Sequence, residues 1–182
     1  MKKEVPLSKA KWIIEPGCVL LVTSGSMEKA NVMTFSWQSP LHSGEPCIIM
    51  LAINPNRYTY ELLKSNNQFV LNVPGENLIE KVHGAGTVSG RKVDKFKKFG
   101  FTPVPAAKVD PPLIDECSAH LECNLTQVID LDHHHLLIGN VVHASADERF
   151  FNGCWDPERF HTLHYLGDRR YGVMDRMLEV YP

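Results

Sequence analysis

The sequence predicts a mainly β protein, a barrel with a few short helices, and three observations carry that expectation. Short apolar segments follow one another with clusters of Gly, Pro and Asn between them, as in the consecutive strands of a barrel rather than alternating βαβ units. From Cys117 the chain alternates, with Cys117, Ala119, Leu121, Cys123 and Leu125 on one face and Ser118, His120, Glu122, Asn124 and Thr126 on the other. That is the period of a long half-exposed strand. No repeat, low-complexity tract or Ser/Gly linker divides the 182 residues, so one domain, 1–182, with a substantial core is expected.

The elements follow in order. Cys18 to Ser24 is a short apolar strand after Pro16-Gly17, and Gly25-Ser26 turns the chain into a second strand, Asn31 to Gln38. There Met33, Phe35 and Trp37 take one side and Thr34, Ser36 and Gln38 the other, so Thr34 and Ser36 project hydroxyls together. Cys47 to Ile53 is a continuous apolar run, which asks for cover on both faces, and a partner subunit is one source of the second cover. Asn54-Pro55-Asn56 stops the run, and Arg57-Tyr58-Thr59 opens a helix with Leu62 and Leu63 facing inward. Gln68 to Val73 is the next strand, residues 76–82 suit one or two helical turns, and Val93, Phe96 and Phe99 recur at helical spacing among lysines. His134 to His143 pairs with the Cys117 strand through Ile129 to His133, giving about six strands. The aromatic tail from Ala146 is left to wrap the barrel or a neighbouring subunit.

Composition narrows the partners. With 43% hydrophobic and 22% charged residues, a net charge of -2 and a pI near 6.5, nothing attracts nucleic acid or an anionic membrane in general, and a small molecule is the expected partner. Five irregularly spaced cysteines argue for a reducing compartment rather than a disulfide framework. The N-terminal MKKEVPLSKAKW has positive charge but no apolar segment behind it, and the Cys47 run is too short to span a bilayer. The expected location is the cytoplasm.

A helix start carrying Arg57 and Thr59 beside unpaired backbone amides is suited to an anion such as phosphate. Gly84-Ala85-Gly86-Thr87-Val88-Ser89-Gly90 has the glycines to cradle a phosphate or to form a surface loop, but its GxGxxxG spacing is not a dinucleotide fingerprint. Cys117, His120 and Cys123 do not make a metal site, because strand alternation sets His120 opposite the two thiols. His133-His134-His135 cannot all point at one ion, so the default position for the run is a loop or edge. Neither an activated cysteine nor a Gly-x-Ser-x-Gly elbow is present. The chemistry therefore falls to a bound cofactor.

Two motifs, N-x-M-T-x-S-W-x-S-P from Asn31 and N-x-x-R-x-T from Asn54, resemble the flavin reductase-like, flavoredoxin-type group of FMN-binding split barrels. The resemblance runs on through Phe69 to Pro74, Ser89 to Phe96, Pro112 to Cys117 and Ile138-Gly139-x-Val141, covering roughly residues 17 to 143. It implies a split β-barrel of Greek-key type that holds FMN at a homodimer interface. On this resemblance Asn31, Val32, Met33, Thr34, Phe35 and Ser36 meet the flavin ring and ribityl chain. Arg57 and Thr59, with Asn54 and Tyr58 beside them, and Ser89, Gly90, Arg91 and Lys95 meet the phosphate end. His134 stands where family members often carry a histidine near the nicotinamide or flavin ring, and His164 and Tyr165 of the tail are expected on the same side. The sequence departs from the family at Asn140, where Glu is common, and in a loose match over residues 163–171. Three functions stay open: an NAD(P)H-dependent flavin or ferric reductase, a flavoredoxin-like carrier with a protein donor, and a flavin-binding relative without turnover.

Overall fold

The structure is a computed structural model describing Pro6, residues 10–11, Ile13, and residues 17–42 and 44–180. The charged start at residues 1–5 and Pro16 lie outside the described residues. Seven strands form one antiparallel sheet: β1 (Leu20–Ser24), β2 (Asn31–Phe35), β3 (Gln38–His42), β4 (Ile48–Ile53), β5 (Gln68–Val73), and the long hairpin of β8 (Ala119–Leu131) and β9 (His134–Ala146). Their order is β2-β1-β5-β8-β9-β4-β3, so the two edge strands are consecutive in the chain, joined only by Ser36-Trp37. The sheet curls into a half-barrel, and the Trp37 carbonyl accepts from the Ala52 amide at 3.0 Å, extending the β3–β4 ladder by one rung. The unbroken strand expected over Asn31 to Gln38 is thus two strands on opposite edges, and curvature is the reason for the break.

β1 is buried along its whole length. Leu20 and Val22 face a core inside the curl with Leu51, Ile53, Leu63, Phe69, Leu71 and Leu137, while Leu21 and Val19 face a second core with Val32, Val82, Phe96 and Ile114. The second core is capped by α2 (Ile79–Thr87) and α3 (Lys95–Phe99), whereas α1 (Tyr58–Asn66) sends Leu63 into the first. Asp94 caps α3 by accepting the Lys97 amide at 3.1 Å. Residues 84–87, expected in a Gly-rich loop, instead complete α2. There Gly84 packs against Phe99 and Gly86 against Thr34, where side chains would crowd. Short strands β6 (Pro103–Val104) and β7 (Leu113–Ile114) pair beside the second core. The tail folds back as the hairpin β10 (Leu163–Gly167) and β11 (Arg170–Val173), with the Val19 amide donating to the Leu163 carbonyl at 2.7 Å.

Three further expectations change. β4 alternates, with Ile49, Leu51 and Ile53 buried and Ile48, Met50 and Ala52 half-buried, so no described residue fully covers its outer face. β8 runs on to Leu131 and turns tightly at Asp132-His133, which makes most of the supposed connection strand. Its alternation fails at a bulge between Glu122 and Cys123, and both side chains are fully buried. The segment leading to β7 covers Glu122, whose carboxylate accepts the Ala107 and Lys108 amides at 3.0 and 2.6 Å and lies 3.0 Å from His143 Nδ1.

Removing that carboxylate strands two amides. Glu122→Ala should therefore cost about 2–4 kcal/mol in chemical unfolding and speed hydrogen exchange at Ala107 and Lys108. Exchange at those amides matching the parent would show that Glu122 does not pin the segment.

Candidate functional site

Where β2 meets the starts of α1 and α3, the chain leaves an open cavity of about 830 Å³. Asn31, the first residue of β2, is 4% exposed. Its amide nitrogen donates to Thr59 Oγ1 at 2.9 Å, and its oxygen is buried without a hydrogen-bond partner among the described residues. Gly90 passes so close that a Cβ there would lie 2.0 Å from that oxygen. Only glycine leaves room for both. The turn that follows α2 thus presses its backbone onto a buried acceptor.

Two cations face this corner. Lys95 is 6% exposed, its ammonium donating to the Ala85 carbonyl at 2.7 Å, and Arg57 stands exposed at the entry to α1. Among the described residues no carboxylate pairs with either. Burial, with the Arg57 charge adding to it, draws the Lys95 ammonium down to about 8. Arg91 is differently placed, because its guanidinium is taken by Glu61 and by the Asn56 carbonyl and lies over the Tyr58 ring.

Aromatic pairs also line the cavity. His134 and Trp37 bring their rings to 5.1 Å, with the Lys11 ammonium 5.1 Å above Trp37. His83 of α2 meets Tyr171 of β11, and Tyr165 lies beside Tyr171.

The cavity gathers every residue that the sequence suggested for the site except Val32 and His164. Val32 points from β2 into the second core, as strand alternation from Asn31 requires. His164 turns away and sits 3.0 Å from Thr162 Oγ1, leaving Tyr165 at the cavity. Thr34 lines the wall but donates its hydroxyl to the Val82 carbonyl at 2.6 Å, tying β2 to α2 rather than projecting freely. His120, weighed against a metal role, is held 2.9 Å from Asn72 Oδ1. The residues that sequence reasoning missed are Lys11, His83 and Tyr171. The last two lie far apart in the chain, and only the docking of the tail hairpin on α2 joins them.

Residues 15–170 match the family described as Flavin reductase like domain. The chain belongs to that family. As a flavin reductase-like domain it is 40% identical over 144 residues to an uncharacterised protein of Archaeoglobus fulgidus, across 79% of this chain and 80% of the relative. Among solved structures, an FMN-binding protein of Thermus thermophilus with bound 1-cyclohex-2-enone superposes with a TM-score of 0.84 at 25% identity, covering 100% of this chain and 98% of the other. The flavoredoxin of Desulfovibrio vulgaris (Miyazaki F) shares the fold, with a TM-score of 0.85 at 24% identity over 99% and 97% of the two chains. The curled sheet is accordingly an FMN-binding type of split barrel.

The buried ammonium of Lys95 is a cost to the ligand-free fold. Below pH 8 Lys95 is charged in folded and unfolded chains alike, and that cost is fully present; between 8 and 10.5 the folded chain sheds the proton that the unfolded chain keeps, and the cost shrinks. Lys95→Met should therefore be more stable than the ligand-free parent by about 1–2 kcal/mol at neutral pH. The gap should close as pH rises through 8. A gap independent of pH, followed by thermal melting, would refute this account of Lys95.

Proposed function

We propose that the cavity holds FMN and that the chain is an oxidoreductase passing hydride or electrons from NAD(P)H to flavin, ferric iron or another acceptor. The observation that carries this reading is the corner where Arg57 and Lys95 face each other without a carboxylate, beside the unpartnered Asn31 oxygen. Two converging cations favour a dianionic group, which relieves their mutual repulsion, and a phosphate monoester has that charge and the acceptor oxygens. The buried Asn31 oxygen asks for a donor, and a ribityl hydroxyl is one. When bound, the isoalloxazine supplies the redox chemistry, and the chain supplies position and electrostatics.

Thr59 fixes the Asn31 amide, so its oxygen stays turned to the cavity. Gly90 keeps the Ser89 to Arg91 turn close enough to offer backbone amides. His134, its ring against Trp37, lines the cavity where a nicotinamide ring would approach. A flavoredoxin-like carrier served by a protein donor is the second reading, favoured by the tail hairpin, whose Tyr165 and Tyr171 line part of the cavity. Under either reading the half-buried outer face of β4, with Ile48, Met50 and Ala52, is taken as the homodimer contact. Among the described residues no helix is long and apolar enough to cross a membrane. A cytoplasmic setting agrees with five free cysteines.

The purified protein should be yellow, or become so with FMN. Arg57→Ala combined with Lys95→Ala should weaken FMN about a hundredfold or more. Affinity should also fall as pH rises through 8, where Lys95 loses its charge. Anaerobic titration with NADH and NADPH should bleach the bound flavin, and His134→Ala should slow that step without changing FMN affinity. A colourless protein that takes up no FMN would end this reading, and bleaching by neither nucleotide would leave the carrier.

A further inference from the structure

Next to the cavity lining, but not part of it, stand three titratable side chains that the proposed site does not use. The Tyr60 hydroxyl of α1 lies 2.7 Å from His135 Nδ1 of β9, with the two rings edge to face at 5.0 Å. His135 Nε2 in turn lies 3.3 Å from Asp130 Oδ1 of β8. A carboxylate beside Nε2 draws the imidazole proton to that nitrogen, which leaves the Nδ1 lone pair to accept the Tyr60 O–H. Tyr60 is 8% exposed, whereas the Asp130 side chain is 72% exposed. The row therefore runs from a buried phenol to water. Thr59 and His134, chain neighbours of the pair, line the cavity, as does Ile53, which faces His135 across the strands. Adjacent residues thus join the pair to the cavity wall.

No substrate reaches a phenol so covered, but an electron can still leave it. Losing an electron makes a phenol a far stronger acid, so the loss is easy only where a base is already in place to take the proton. The Lys64 ammonium, 5.7 Å from the centre of the Tyr60 ring, opposes a positively charged ring and so favours departure of the proton together with the electron. We propose that Tyr60, His135 and Asp130 form a redox-active tyrosine site that serves a strong one-electron oxidant held in the cavity. The oxidant gains one electron from Tyr60, the phenolic O–H bond breaks, and the proton forms an N–H bond at His135 Nδ1. Tyr60 is left as a neutral phenoxyl radical and His135 as an imidazolium beside the Asp130 carboxylate. Return of the electron from the reduced oxidant reverses both movements, so an excited oxidant is brought back to its ground state with nothing consumed. Tyr60 is the electron donor, His135 the proton acceptor and Asp130 a positioning residue. The inference rests on the FMN reading only for the identity of the oxidant, which is then light-excited flavin.

The first arm of the test uses the purified protein with flash-generated tris(bipyridine)ruthenium(III) as oxidant, and reads the radical by freeze-quench electron paramagnetic resonance. With five tyrosines and three tryptophans in the chain, variants assign the signal. Tyr60→Phe keeps the ring and removes the hydroxyl, so most of the phenoxyl signal should vanish. His135→Gln keeps an acceptor for the hydroxyl but no base, and phenoxyl formation should slow about a hundredfold while the melting temperature stays near the parent's. Asp130→Asn should let the imidazole proton move to Nδ1, visible in nitrogen NMR of His135, and slow the radical step as well. An unchanged signal in Tyr60→Phe, equal rates in His135→Gln and the parent, or a parent His135 with its proton on Nδ1 would overturn the proposal. The second arm reads flavin fluorescence in FMN-loaded protein, which should be brighter and longer-lived in Tyr60→Phe. Fluorescence equal to the parent's would overturn the link to the cavity and the proposal with it. Failure to take up FMN would overturn the cofactor reading, and the first arm would still decide on the tyrosine site.

Discussion

The architecture depends on covering β1 from both sides. Every residue of that strand is buried, with Leu20 and Val22 in the core inside the curl and Leu21 in the core beneath the helices. A strand apolar on both faces forces the sheet to bend around one core while a second layer closes over the other. That second layer is α2 and α3, brought together by Val82, Ala85 and Phe96. The candidate cavity is the gap left where the layer ends against β2, so core packing and site geometry share the same cause.

Within that gap, fold stability and the proposed function oppose each other at one residue. Lys95 lies almost wholly buried and meets a backbone carbonyl rather than a carboxylate. An apolar side chain would suit the fold better, whereas an anion bound beside it makes use of the charge. Asn31 follows the same logic, since its amide nitrogen is satisfied by Thr59 and its oxygen is left open. Under the proposed function, both are groups that FMN would satisfy.

Much of this corner is legible in the sequence because its signals are local. Arg57 and Thr59 flank one helix start, and Lys95 follows Gly90 within a few residues. Strand periodicity also indicates a β-rich fold. It fails at Ser36-Trp37, since alternation continues through a change of edge, and at Glu122, since a bulge and a covering segment bury a carboxylate that period two would expose. Glycines suggested a loop over residues 84–87, where close packing on Phe99 and Thr34 in fact requires small residues within a helix. The encounter of His83 with Tyr171 is a property of tertiary docking, and no spacing along the chain could have encoded it.

The seam between β2 and β3 has a mechanical consequence. An edge strand lacks a ladder partner on one side and opens at lower free energy than the strands within. Here the two edges, β2 and β3, are joined by Ser36-Trp37, and Asn31 of β2 and Trp37 of the link both line the cavity. Under the proposed function, a molecule reaching from Arg57 to Trp37 would touch the β2 edge and the link to β3 at once, and binding would steady both. The least supported strands of the sheet are then the ones that border the candidate site.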